Sequence, residues 1–213
     1  MIRSLRILSV AASAIALSGC LSGLLPEPAE APVVYRLTAP VPSDTKLPGA
    51  PVVRVDNVSS PRTYNTNDVI VITSDEALSA AAGARWADDI PEMVQDAMLS
   101  QLAKSDNYIG VIPVAGARAS LRLHLDIRDF AAYYEDGDLA APTARVQVYA
   151  TVSEAASRDF VGSFTAVGEA KAAENRLPVI VDAQSRATRE ALSDVVAWMN
   201  SLNMSDMSGL PQG

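Results

Sequence analysis

The sequence predicts an α+β fold, a two-layer sandwich with one face of an antiparallel or mixed sheet covered by two helices. Three observations lead there. Leu121, Leu123, Leu125 and Ile127 alternate with Arg122, His124, Asp126 and Arg128. Val146, Val148, Ala150 and Val152 alternate in the same way with Arg145, Gln147, Tyr149 and Thr151. That period of two belongs to strands with one buried and one wet face. Finally, two stretches repeat apolar residues at helical spacing: Ile90, Met93, Val94, Ala97, Met98 and Leu102, then Ala187, Ala191, Leu192, Val195, Val196 and Met199. A sheet that is apolar on one side needs a cover, and two such helices supply it.

In chain order, Val33 to Thr38 is β-branched and aromatic and reads as a short strand, followed by a proline-rich break over 40–51. Val52 to Val58 alternates around Arg54 and reads as a second strand. Residues 59–68 form a turn-rich loop. Val69 to Thr73 is a third strand, and the alanine-rich run Ala80–Ala84 reads as a plain loop or as a close-packing segment between subunits. The first helix starts near Asp88 and Asp89, whose charges suit its positive end, tolerates Pro91 early, and stops near Ser105. Tyr108–Val114 is a strand, Ala119–Phe130 and Arg145–Val152 are the two clearest ones, and Glu135-Asp136-Gly137-Asp138 turns between them. Asp159–Glu169 is a weaker strand in which Gly162 and Gly168 permit a bend or bulge. Pro178 to Val181 leads into the last helix from about Asp182, with Trp198 beside its apolar stripe. The total is six or seven strands and two helices.

The beginning of the chain has a different design. Arg3 and Arg6 precede eleven apolar or small residues, Ile7 to Leu17, ending in Leu17-Ser18-Gly19-Cys20. A basic segment, a short apolar run and small residues before a cut are the parts of a secretory signal. The run is about half the length of a membrane-spanning helix, which needs about 20 apolar residues. Cys20, the sole cysteine, stands where the lipobox of bacterial lipoproteins has its acylated residue, and the stretch resembles that motif. The resemblance implies cleavage before Cys20, diacylglycerol on its thiol and a further acyl group on the new amino terminus. Each buried acyl CH₂ contributes about 0.8 kcal/mol, so two or three chains hold a protein on a bilayer. Leu21 and Ser22 follow in place of Asp, which by the same analogy points to the periplasmic face of the outer membrane. The chain divides into a signal peptide (1–19), a lipidated cysteine and proline-rich tether (20–32), one α+β domain (33–202) and a loose tail (203–213).

Removing residues 1–19 from the 213 leaves 194 and takes away two arginines, moving the formal charge from −8 to −10. Such an acidic surface does not suit nucleic-acid phosphates, so no nucleic-acid partner is expected. Attachment to the membrane is assigned to lipid, since anionic headgroups repel the protein. With Cys20 acylated, no disulfide is available, and stability rests on the core. One histidine and no acidic cluster at ligand spacing give no basis for a metal, so no cofactor is expected beyond the covalent lipid.

The order of features as a whole is similar to the auxiliary lipoproteins of ABC-type transporters, of the paraquat-inducible protein C type. The residues concerned are the lipobox and tether, Tyr35-Arg36-Leu37, Ser60-Pro61-Arg62, Arg85-Trp86-Ala87-Asp88-Asp89-Ile90-Pro91, the Leu121–Ile127 alternation and the last helix, spanning about 33–200. The resemblance implies a non-catalytic docking role at the outer membrane. The implied partners are ABC transporter subunits and an MCE-domain protein that moves lipids or other hydrophobic solutes, with a homo-oligomer in some relatives. The competing reading is an outer-membrane assembly or envelope-integrity lipoprotein unconnected to an ABC system.

Few residues invite chemistry. His124 lies on a polar strand face near Asp126 but has no nucleophile in view, so no catalytic residue is assigned. Glu135, Asp136 and Asp138 lack the spacing of a calcium loop and read as a solvated turn. No phosphate-binding glycine loop or nucleophile elbow is present. Trp86 is expected to staple the helix start to the sheet, with a partner contact as the other reading. Tyr64, Tyr133 and Tyr134, all in loops, are the remaining candidates for a partner interface.

Overall fold

A computed structural model of the chain describes residues 31–37 and 49–202. Cys20, the lipobox, most of the tether and the tail lie outside the described residues. The compact unit begins at Pro32, and its described residues contain eight strands and two α-helices. These are β1 (Val33–Tyr35), β2 (Val52–Val55), β3 (Asp68–Ile72), β4 (Leu78–Trp86), α1 (Ile90–Lys104), β5 (Ile109–Val111), β6 (Leu121–Tyr133), β7 (Thr143–Glu154), β8 (Phe160–Lys171) and α2 (Leu177–Ser201).

β6 is the spine of a mixed sheet. Along one edge β7 runs antiparallel from Leu121↔Glu154 to Tyr133↔Thr143. The other edge is shared by two short parallel strands end to end, β2 at the beginning (Val53↔Leu121) and β3 at the end (Val71↔Ala132). Between them the chain stays hydrogen-bonded to β6: Ser59 N–H donates to the Leu125 carbonyl at 3.0 Å, and Ile127 N–H donates to that of Ser59 at 2.8 Å. β5 extends the β2 half; β4 and then β1 extend the β3 half; β8 pairs antiparallel with β7. The sheet is therefore mixed, with its apolar face under the two helices, as the sequence predicts.

That face carries the expected residues. Leu121, Leu123, Leu125 and Ile127 of β6 and Val146, Val148, Ala150 and Val152 of β7 are all buried. α2 lies across β6, β7 and β8, while α1 packs against α2 and the β2–β5 end. Small residues set the spacing: a Cβ placed on Gly168 of β8 would sit 2.0 Å from the Ala187 carbonyl oxygen and 2.8 Å from the Ala191 nitrogen. Helix and strand thus approach to backbone contact. Polar ties fix the helices along the sheet. Gln95 Nε2 donates to the carbonyls of Val55 and Asp56, at 3.2 and 3.0 Å, and Tyr108 Oη donates to that of Met199 at 2.9 Å.

Three elements differ from the sequence reading. The Ala80–Ala84 run is part of strand β4, which pairs with β3 on one side and β1 on the other. Its alternation is hidden because alanines mark no face, and because the β3–β4 register breaks between Asp68 and Ile70, where Gly83 turns left-handed at φ 74°. With β4 included there are eight strands. α2 begins at Leu177, five residues before the expected start, since Pro178 sits in the first turn where its missing N–H has no partner to lose. The Tyr108–Val114 stretch makes only three strand residues before a 3₁₀ turn at Pro113–Ala115.

Candidate functional site

Among the candidate contact residues, two converge on one carboxylate. β6 carries a bulge at Arg128, between Ile127↔Val148 and Asp129↔Gln147. One extra residue swaps the faces of a strand, so Phe130 enters the core opposite Val146 and Asp129 moves to the outer side. There its carboxylate is buried beneath two phenols. Tyr64 Oη donates to Asp129 Oδ1 at 2.9 Å, and Tyr133 Oη donates to Oδ2 at 2.6 Å. Tyr64 reaches in from a 3₁₀ turn, Arg62–Tyr64, whose chain reversal is closed by Tyr64 N–H donating to the Pro61 carbonyl. Burial, reinforced by the Asp129 charge, pushes the Tyr64 hydroxyl from 10.0 up to about 12, and burial together with the hydrogen bond to Asp129 raises Tyr133 further still.

The arrangement continues outward. The Arg145 guanidinium lies 4.7 Å from the centre of the Tyr133 ring, within cation–π range, and pairs with Glu169 at 2.6 Å and Glu135 at 3.2 Å. Tyr134 Oη donates to Asn175 Oδ1 at 2.9 Å, and Asn175 in turn donates to the Asp138 carbonyl. Tyr133 and Tyr134 line an open groove of about 450 Å³ with Ile72, Thr73, Ser74, Glu76 and Glu135. The acidic turn forms its rim and is tied down: Asp136 pairs with Lys171 at 2.8 Å, Asp138 Oδ1 accepts from Ser74 N–H, and Gly137 holds φ 97°. Among the described residues no three His, Cys, Asp or Glu side chains converge as metal ligands.

This groove has a mixed lining with an aromatic wall, and the Tyr133 hydroxyl beneath it is tied to Asp129. Tyr64 is buried, sits outside the groove lining and meets Tyr133 only through Asp129. Tyr133 and Tyr134 are half-buried at the groove wall, Tyr133 at the very end of β6. Trp86 sits where a residue stapling the helix start to the sheet is expected. It ends β4 with 1% of its surface exposed, edge-on to Phe130 at 6.0 Å between ring centres, and its Nε1 has no hydrogen-bond partner. His124 is exposed, with Nε2 3.3 Å from Ser59 Oγ. Asp126 pairs with Arg128 at 2.6 Å and leaves the imidazole without a carboxylate to orient it. The sequence gives no sign of Asp129 as an anchor, because the Leu121–Ile127 alternation places it inward until the bulge is known.

Removing that anchor has a definite consequence. Asp129→Ala leaves two phenols without their acceptor and is expected to cost roughly 2–4 kcal/mol in urea unfolding. In the intact protein both phenols stay neutral in the fold at pH values where free tyrosine ionises. Their contribution is complete below pH 10 and is lost as pH rises through about 12 for Tyr64. Alkaline unfolding followed by circular dichroism checks this, and the Ala variant should lose only the share of the transition that Asp129 adds to burial.

The family described as ABC-type transport auxiliary lipoprotein component matches residues 35–196. The chain belongs to this family. The match begins at the last residue of β1 and ends within α2, so it covers the sheet, both helices and the tyrosine groove. Solved structures share the fold. Protein XCC0632 from Xanthomonas campestris superposes with a TM-score of 0.70 at 19% identity, covering 83% of this chain and 99% of its own. Protein CT253 from Chlamydia trachomatis gives 0.51 at 10% identity, covering 72% and 98%. At such identities the likeness speaks for the fold alone. No curated relative matches by sequence.

Proposed function

We propose that this auxiliary lipoprotein is the non-catalytic docking component of an ABC-type transport system of the bacterial envelope. A lipid on Cys20 holds it at the periplasmic face of the outer membrane, and its partner is an MCE-domain protein that carries lipids or other hydrophobic solutes. The observation that carries the reading is the family match across the folded part of the chain, residues 35–196, immediately downstream of a lipobox and a proline-rich tether. The site supports it. The tyrosine groove offers two aromatic rings beside Ile72, hydroxyl side chains and carboxylates, which suit protein recognition. Glu135 is engaged by Arg145 and the Tyr133 hydroxyl by Asp129. Among the described residues no helix is long and apolar enough to cross a membrane, so in this reading the lipid does the anchoring.

Affinity purification of the tagged full chain from detergent-solubilised envelope tests the proposal. An ABC permease, its ATPase and an MCE-domain protein should co-purify with the wild type. Tyr134→Ala combined with Glu135→Lys, which alters the groove wall, should weaken their recovery at least tenfold while the circular dichroism spectrum stays that of the folded protein. Recovery of no transporter subunit above background contradicts the docking role.

A further inference from the structure

We propose that the tyrosine groove takes an arginine-bearing segment of the docking partner, its guanidinium groups held by the carboxylates of two hairpin turns and by the Tyr134 ring. The inference rests on the docking role of this groove and names the chemistry of what enters it. The groove, about 450 Å³, is built by two turns. Ile72, Thr73, Ser74 and Glu76 come from the β3–β4 hairpin, and Tyr133, Tyr134 and Glu135 from the start of the β6–β7 hairpin. Each turn is closed on itself. Thr73 N–H donates to the Ala77 carbonyl at 3.0 Å, Glu76 N–H to that of Thr73 at 2.9 Å, and Gly137 N–H to that of Tyr134 at 3.2 Å. Ser74 N–H then ties one turn to the other through Asp138 Oδ1 at 2.8 Å. Pockets for compact ligands run to roughly 300–1,000 Å³, so this one admits the side chains of one short segment.

Its charge calls for a cation. The two turns carry five carboxylates, Asp75, Glu76, Glu135, Asp136 and Asp138. Arg145 is shared between Glu135 and Glu169, and Lys171 pairs with Asp136. Asp75 accepts from the Thr73 hydroxyl and Asp138 from the Ser74 N–H, both neutral donors. Asp75, Glu76 and Asp138 are exposed, and among the described residues none of them forms an ion pair. Downstream of Cys20, the sequence outside the described residues holds a single cation, Lys46, too few to balance three carboxylates. The complementary charge is left for a partner to bring. The wall also shows which cation fits. Arg145 lies 4.7 Å from the Tyr133 ring centre while its guanidinium meets two carboxylates, and Tyr134 sets a second ring in the same lining as Glu76 and Glu135. A guanidinium combines stacking on a ring with a planar grip on carboxylates, which an ammonium does less well. Glu76 itself stands at φ 63°, where the backbone favours glycine.

Fluorescence anisotropy on the detergent-solubilised full chain tests the proposal with no transporter subunit present. The probe is a short fluorescein-labelled peptide of alternating glycine and arginine, compared with peptides carrying lysine or glutamate in place of arginine. The arginine peptide should bind at least threefold more tightly than the lysine peptide, and the glutamate peptide should not bind. Raising salt from about 0.05 to about 0.5 M should weaken the arginine peptide severalfold. Glu76→Gly should lower its affinity at least threefold while the urea midpoint stays at or above that of the wild type. Asp159→Asn removes the same charge beyond the other end of β6 and β7, roughly 40 Å away by strand rise, and should leave the affinity unchanged. Tyr134→Leu should abolish the preference for arginine over lysine, whereas Tyr134→Phe, which keeps the ring, should retain it. Equal affinity for the arginine and glutamate peptides overturns the proposal. So does a loss in Asp159→Asn as large as that in Glu76→Gly, or an arginine preference intact in folded Tyr134→Leu. Transporter subunits that co-purify with a chain indifferent to these peptides strike the cation chemistry alone, and peptide binding without co-purification strikes the docking role alone.

Discussion

Gly168→Val should yield no folded protein, and Gly168→Ala should lose at least ~3 kcal/mol of stability. The reason lies in the atoms a side chain would meet. A Cβ at this position falls 2.0 Å from the Ala187 oxygen, 2.9 Å from the Ala187 carbonyl carbon and 2.8 Å from the Ala191 nitrogen. All three are backbone atoms of α2 and cannot rotate aside. The helix must lift from the strand, and lifting it uncovers Val146 and Val148 beneath. Overpacking a core usually costs about 1–3 kcal/mol because side chains adjust; here a whole element has to move. Gly162 is the internal control, since a Cβ there would meet the Trp198 ring edge at 3.1 Å, a side chain only half-buried. Urea unfolding followed by tryptophan fluorescence should find Gly162→Ala close to wild type. A Gly168→Ala midpoint equally close would show that the helix does not bear on the strand there.

The second large effect is at Leu123. This residue is fully buried on β6, under the helices and between the strands that flank the spine. Leu123→Asp puts a carboxylate where no partner exists, at a cost of several kcal/mol on top of the lost apolar burial. The domain should not fold near neutral pH. The neighbouring position faces the other way: Arg122 is part-exposed and pairs with Asp56 at 2.6 Å, and Asp56 keeps a second cation in Arg54 at 3.1 Å. Arg122→Gln should therefore cost less than about 1 kcal/mol. Equal damage from the two substitutions, measured by thermal unfolding, would mean that the assigned faces of β6 are wrong.

The contrast between these positions is also the contrast between what could and could not be read from the chain. Period-two alternation marks β6 and β7 because each has one wet face, and every apolar position it assigns inward is buried. The 3.6-residue stripe marks α1 down to its ends, with Asp89 before the first turn and Ser105 after the last. The Glu135–Asp138 turn is legible from its glycine. β4 was not, because Leu78–Trp86 is built of small residues whose two faces look alike and whose register jumps. The tyrosine cluster was legible only in part. Tyr133 and Tyr134 stood out as aromatics near a turn, but their partner Asp129 was hidden by a single bulged residue, and Tyr64 joins them across 65 positions of sequence. The helix–strand contact at Gly168 gave only a hint, a glycine inside a strand.

The account places a folded docking body on a lipid anchor, and mass spectrometry of the mature N-terminal peptide from the envelope tests it most directly. The predicted result is a chain that starts at Cys20, carrying diacylglycerol on Sγ and an acyl group on the amino nitrogen. An unmodified cysteine, or a mature chain that starts elsewhere, contradicts it.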